Sequence, residues 1–227
     1  MNKVAILQPS YLPWIGYFEQ IASVDNFVFY DDVQYTKNDW RHRNKIKAQN
    51  TSLWLSVPVH YSSQELINHV KVDDTKKWRV KHIKTLKQYY GKTPYFQEVF
   101  PLLEKHITDF STIHLSTLCI ALIQDIANYL EIRTQFHLAS QLQIEGDKNS
   151  RLLNICNHFN ADIYYCGAAS QNYLDTLLFK QHNIDVTFQE YQHPIYKQVG
   201  DNFVPYLSIV DLLFNCGKNS LTLLKGK

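Results

Sequence analysis

The stretch VAILQPSYLPWIGYFEQIASVDNFVFYDD, residues 4–32, decides the fold class. Val4 to Leu7 is a short apolar run closed by Gln8-Pro9, the pattern of a buried parallel strand. From Trp14 onward Ile15, Phe18, Ile21 and Ala22 recur at helical spacing until Asp25-Asn26 breaks the pattern. Phe27 to Tyr30 then reads as a second strand. Strand, turn, helix and strand within about thirty residues is a βαβ unit, which requires a parallel sheet and a right-handed crossover.

The same alternation continues downstream. Strands are expected at Leu53 to Val57, Val70 to Val72, Ile132 to Leu138, Asp162 to Cys166 and Ile184 to Phe188. Helices are expected from a cap among Asp73 to Thr75 up to Gly91, then at Pro94 to His106, Ser111 to Leu130, Asn149 to Phe159 and Leu207 to Phe214. Residues 31–68 read as an irregular basic excursion and 76–130 as a mainly helical part. With 227 residues, 45% of them hydrophobic, the chain can bury a full core. The expectation is one α/β domain over residues 1–227: a mostly parallel sheet with flanking helices, a Rossmann-like or nucleotidyltransferase-like core and a helical addition.

No run of 18 apolar residues occurs, and Gln8, Pro9 and Pro13 interrupt the N-terminal apolar run without a cleavage site after it. A soluble cytoplasmic protein is therefore expected. Cys119, Cys156, Cys166 and Cys216 form no CxxC pair, and ten histidines offer no metal-ligating spacing, so reduced thiols and no metal are expected. Residues 37–92 hold 13 of the 23 Lys and Arg and only four acids, a charge of +9 against −7 elsewhere. Such a field attracts anions such as nucleotides, sugar phosphates or RNA. A solvated basic helix face is the simpler reading of Lys76, Lys77, Lys81, Lys84 and Lys87.

Ligands of open parallel sheets bind beyond the carboxyl ends of strands, where Gln8 to Gly16 and the loop Asp31 to Tyr35, including Gln34, both lie. Pro9 and Pro13 stiffen the first turn, and Gly16 leaves the helix start bare for close approach. Adjacent carboxylates such as Asp31 and Asp32 can hold a divalent ion, accept a substrate amine or act as a general base, though strand alternation turns only one of them toward a ligand. Trp40, Arg41, Arg43 and Asn44 form a planar, donor-rich group suited to phosphate or carboxylate. Lys148 and Arg151 open a helix where phosphate is favoured, and Ser170, Asn172 and Tyr173 form a polar loop suited to substrate contact. His60 is the histidine candidate for acid–base work. Cys166 reads as a small buried hydrophobe rather than a nucleophile. Asp211, on an otherwise apolar helix, needs a buried partner such as Arg41, Arg43 or a ligand amine.

The segments QPSYLPWIGYFEQIASVDNFVFYDDVQYTKNDWRHRN (8–44), YYCGAASQNYL (164–174) and FVPYLSIVDLLFNCG (203–217) resemble the WbqC-like family. That resemblance, running from residue 3 to about 217, implies a product of bacterial O-antigen or other surface-polysaccharide gene clusters, with glycine or aminoacyl transfer proposed for some members. It implies a nucleotide (ATP or a nucleotide sugar) as ligand and an activated aminoacyl donor as co-substrate. Gln8, Tyr11 and Gly16 would then shape a nucleotide pocket, Arg41 and Arg43 would hold phosphate, and Asp31 or Asp32 would orient or deprotonate the acceptor amine. The turn from Pro9 to Tyr17 is also similar to the Pro-x-x-x-x-His-x-Gly-His turn of nucleotidyltransferases and class I aminoacyl-tRNA synthetases, and of pantothenate synthetase. Trp14 and Tyr17 stand where its histidines would, so imidazole stabilisation of an adenylyl transition state is not available. The alternative is a noncatalytic binder of nucleotide sugars or RNA, in which aromatics beside a basic surface stack bases. A third is a structural partner in a biosynthetic complex.

Overall fold

The computed structural model describes residues 1–226. β1 (Lys3–Leu7) leads through the proline turn into α1 (Ile15–Ala22) and back to β2 (Asn26–Phe29), which pairs with β1 in parallel. The excursion that follows is more regular than its sequence suggests. β3 (Arg43–Ala48) and β4 (Thr51–Ser56) form an antiparallel hairpin, and β5 (Val59–His60) pairs with β6 (Lys71–Val72). β3 is hidden in the sequence because cations interrupt it, yet Asn44, Ile46 and Ala48 alternate inward as a half-buried strand requires.

Three helices follow, α2 (Trp78–Tyr90), α3 (Phe96–Ile107) and α4 (Leu115–Tyr129), which form the expected helical addition. The chain then returns to the sheet with β7 (Gln135–Leu138), α5 (Ala139–Leu142), α6 (Lys148–His158), β8 (Ile163–Cys166), α7 (Thr176–Gln181) and β9 (Asp185–Phe188), and closes with α8 (Ile209–Cys216) and α9 (Ser220–Leu224). The five-stranded sheet is parallel throughout, in the order β7-β2-β1-β8-β9. The chain runs from β1 outward to β2 and β7, then resumes on the other side of β1 with β8. The reversal leaves a crevice at the carboxyl ends of β1 and β8, the place where open α/β sheets bind ligands.

Strand alternation gives the sheet two apolar faces. Ala5, Phe27 and Phe29 pack against α1 and the helical addition, whereas Val4, Ile6 and Val28 pack against Leu152, Ile155, Cys156 and Phe179 of α6 and α7. Both faces are covered, as a parallel sheet demands. Among the described residues no helix is long and apolar enough to cross a membrane.

His82, on α2, is buried beside Trp78, and its Nδ1 lies 2.9 Å from the Tyr11 hydroxyl. Burial pulls its pKa down to about 4, so it is neutral in the folded protein and charges readily once unfolded. His42, His137 and His193 are shifted in the same direction, also by burial. A depressed histidine favours folding fully above its unfolded pKa and loses that contribution as the pH falls toward the folded one. Urea unfolding should therefore weaken from about pH 6.5 down to about pH 4, with His82 alone accounting for up to about 3 kcal/mol. In His82→Leu the decline over that window should be clearly shallower.

Candidate functional site

The crevice at the sheet reversal is built from the turn after β1. Two buried hydrogen bonds hold that turn in a strained shape: Leu12 adopts a φ of +43°, and its carbonyl accepts from Asn44 Nδ2 at 2.9 Å and Ser208 Oγ at 2.7 Å. A left-handed non-glycine residue costs on the order of 1–3 kcal/mol, so it persists only where its surroundings over-determine it. Ser208 is also the N-cap of α8, and its amide donates to the Lys45 carbonyl at 2.8 Å. The C-terminal segment, the β3–β4 hairpin and the first turn are thereby locked together.

Two adjoining hollows open onto this turn. One, of about 400 Å³, is lined by Trp14, Tyr17, Trp40, Asn44 and Tyr206; the other, of about 600 Å³, by Tyr30, Lys148, Asn149, Ser170 and Tyr173. Leu7, Gln8 and Arg41 line both and join them into one cleft. The cleft wall carries two cations, Arg41 and Lys148, and no carboxylate. Arg41 Nε donates to Gln8 Oε1, and its Nη2 lies 3.3 Å from Asp39 Oδ2. Burial opposes the charge on Asp39, but Arg41 and hydrogen bonds from Thr36 and Trp40 hold its carboxyl below the usual range. Asp39 and Gln8 aim the guanidinium, while exposed Lys148 forms no ion pair among the described residues.

Eight expected residues thus line the cleft: Gln8, Tyr17, Trp40, Arg41, Asn44, Lys148, Ser170 and Tyr173. Several of them are framework as much as contact. Tyr17 donates to the Gln8 carbonyl at 3.1 Å, and burial holds its phenol far above its ordinary pKa, with Arg41 only partly opposing. The Ser170 and Tyr173 hydroxyls lie 3.0 Å apart. Cys166 also lines the cleft but is 2% exposed, and burial raises its thiol to about 11, so it is no nucleophile.

The other expected residues are placed elsewhere. Asp31 is buried at the end of β2, where its two oxygens accept from the Ser140 amide at 3.0 Å and the Ser140 hydroxyl at 2.7 Å; it fastens the start of α5 instead of meeting an acceptor amine. Asp32 Oδ2 accepts from Arg151 Nη2 at 2.5 Å. Arg151 also donates to the Ile144 carbonyl and lies over the Tyr30 ring at 5.0 Å, so it stiffens the cleft wall. Tyr11 is wholly buried, bonded to His82. Arg43 lies over Trp54 at 4.6 Å on the open face of the hairpin, not in the cleft. His60 is exposed and pairs with Asp73 at 3.4 Å, and Gln34 is exposed, bridged to Leu66. Asn172 is exposed outside the cleft lining. Asp211 is 0% exposed, and its partners are Tyr90 at 2.8 Å and Tyr196 at 2.7 Å, not an arginine or a ligand amine.

Gly16 differs from expectation in a useful way. A Cβ there would lie 2.2 Å from the Trp14 indole, so the bare helix start is a seat for that ring and not a path for ligand. Alanine normally gains about 1 kcal/mol over glycine within a helix, whereas overpacking costs about 1–3 kcal/mol. Gly16→Ala should therefore lose net stability, by about 1 kcal/mol in urea unfolding, and swing Trp14 into the cleft.

Trp14, Tyr30, Tyr206 and Asn149 line the cleft without being among the expected site residues. Tyr206 reaches a turn almost two hundred positions earlier only through the lock at Ser208, which no local pattern reveals. Asn149 was legible as part of the α6 start, next to Lys148.

The sequence pattern of the WbqC-like protein family matches residues 8–223. An uncharacterized protein of Mycobacterium tuberculosis is 37% identical over 220 residues, covering 96% of this chain and 95% of that one. No solved structure matches the chain. A match that spans the cleft, the hairpin and the C-terminal lock, together with that identity over nearly two whole chains, shows that the chain belongs to the WbqC-like protein family.

Proposed function

We propose that the protein is a transferase that binds a nucleotide-linked sugar in the cleft between the ends of β1 and β8 and acts in bacterial surface-polysaccharide assembly. The observation that carries this reading is the cleft itself, which lies at the reversal of strand order and holds Arg41 and Lys148 with no carboxylate in its wall. A cationic, partly dehydrated hollow at such a reversal is suited to a diphosphate.

Glycine or another aminoacyl group is the unit we expect it to transfer, to the amine of a nucleotide-linked amino sugar. The cleft wall offers hydroxyls, amides and cations, and neither a reactive thiol nor a carboxylate base. Catalysis would therefore come from holding an activated acyl donor against the amine and from cationic stabilisation of the departing anion, as the N–C bond forms, the bond from the acyl carbon to its leaving group breaks and the amine's proton passes to water. Incubating the protein with a nucleotide-linked amino sugar and an activated glycyl donor tests this by mass spectrometry. A product heavier by one glycyl residue, formed by the protein and not by Arg41→Ala, supports transfer. Binding of the nucleotide sugar without any product would favour a noncatalytic binder.

A further inference from the structure

We infer that Arg41 divides the cleft into two subsites of different chemistry: the hollow beside Trp40 takes the planar base of a nucleoside diphosphate, and the hollow beside Lys148 takes its phosphates. This assignment rests on the anion-binding reading above and deepens it.

The two hollows differ in what their walls can still do. Around the first, Trp14, Trp40 and Tyr206 arrive from three separate segments, the start of α1, the excursion and the C-terminal lock. Trp40 is 48% exposed and Tyr206 59%, so both present ring surface that the protein itself does not cover. Trp54 braces Trp40 from outside, 5.4 Å away, and is itself flanked by Arg43 and Lys45 at 4.6 and 5.0 Å.

The polar groups of this hollow are largely spent on the fold. Asn44 uses Nδ2 on the Leu12 carbonyl and Oδ1 on the Lys45 amide, and Tyr17 gives its hydroxyl to the Gln8 carbonyl. A sugar ring entering here would give up water from several hydroxyls without matching partners, which is costly. A heteroaromatic base has little to lose and gains on the order of 1–3 kcal/mol by stacking on an exposed aromatic side chain. The second hollow differs in charge: Lys148 forms no ion pair among the described residues, and of the Ser170 and Tyr173 hydroxyls at its wall, which bond each other, one keeps an O–H free to donate. Arg41, lining both, stands where base-bearing and phosphate-bearing parts of one ligand would meet.

Calorimetric titration of the full chain with uridine diphosphate, uridine and inorganic pyrophosphate tests the assignment. Uridine diphosphate should bind at least about fivefold more tightly than pyrophosphate, the lower end of one stacked base. Trp40→Ala should erase that advantage while leaving pyrophosphate affinity within about twofold, and Trp40→Phe should restore most of it. Lys148→Ala should weaken both phosphate ligands. Trp40 is half exposed, so circular dichroism should show all the variants folded. Equal affinities for uridine diphosphate and pyrophosphate in the unaltered protein, or equal loss of both in Trp40→Ala, would overturn the assignment and leave the anion site standing. Failure of both phosphate ligands to bind would remove the anion site and the assignment with it.

Discussion

Replacing Asp211 with alanine should lower the free energy of unfolding by about 3–5 kcal/mol. Asp211 is wholly buried, and it is the acceptor on which three parts of the fold converge. Tyr90 of α2 donates to one of its oxygens at 2.8 Å, and Tyr196 of the segment after β9 donates to the other at 2.7 Å. Tyr90 in turn accepts the backbone N–H of Lys47 in β3 at 2.9 Å, which draws the hairpin into the network. Burial raises the Asp211 pKa, and the hydroxyl bonds from Tyr196 and Tyr90 oppose that rise without cancelling it. Alanine leaves two buried phenols without an acceptor, each costing about 1–3 kcal/mol, and adds a small cavity. Asp211→Asn keeps one acceptor and the volume, so it should lose distinctly less. Urea unfolding of both variants checks the order; a loss below about 1 kcal/mol for alanine would show that the network is not what holds α8 to the hairpin.

Replacing Arg41 with alanine should weaken binding of a nucleoside diphosphate sugar by about 10- to 100-fold, while the folded protein loses less than about 1 kcal/mol. The separation arises because the side chain and the backbone of this residue do different jobs. The Arg41 carbonyl accepts from the Tyr11 amide at 3.1 Å, a structural bond that alanine retains. The guanidinium is aimed by Gln8 and Asp39 toward the junction of the two hollows, and its fork geometry suits a phosphate. Arg41→Lys keeps the charge but not the fork, so its affinity should fall between the two. Raising the salt concentration should weaken binding to the unaltered protein more than to the alanine variant, because part of the attraction is charge. Titration calorimetry at two salt concentrations reads both effects.

The parallel core was legible because each of its strands carries a local signature. Val4 to Leu7, Phe27 to Tyr30 and Asp162 to Cys166 are short apolar runs ended by polar or glycine turns, and all three are strands of the central sheet. The hairpin was half legible. Leu53 to Val57 reads as a strand, but its partner Arg43 to Ala48 alternates buried residues with Arg43 and Lys45, so its apolar content is too low to stand out. Within the site, Gln8 and Lys148 stand at a visible strand end and helix start, and Arg41 stands out as part of the donor-rich run Trp40 to Asn44. Several misplacements share one cause: a polar residue at a strand end or on an apolar helix face looks functional until its distant partner is known. Ser140 takes Asp31, Arg151 takes Asp32, and Tyr90 and Tyr196 take Asp211, at sequence separations that no local pattern encodes. At Gly16, likewise, the ring of Trp14 that fills its open side is set by tertiary packing.

A crystal structure of the protein soaked with a nucleoside diphosphate sugar tests the central claim most directly. The phosphates are expected between the ends of β1 and β8, within hydrogen-bond reach of both Arg41 and Lys148. A ligand seated anywhere else on the protein, or a cleft left empty at a concentration that saturates binding in solution, would contradict it.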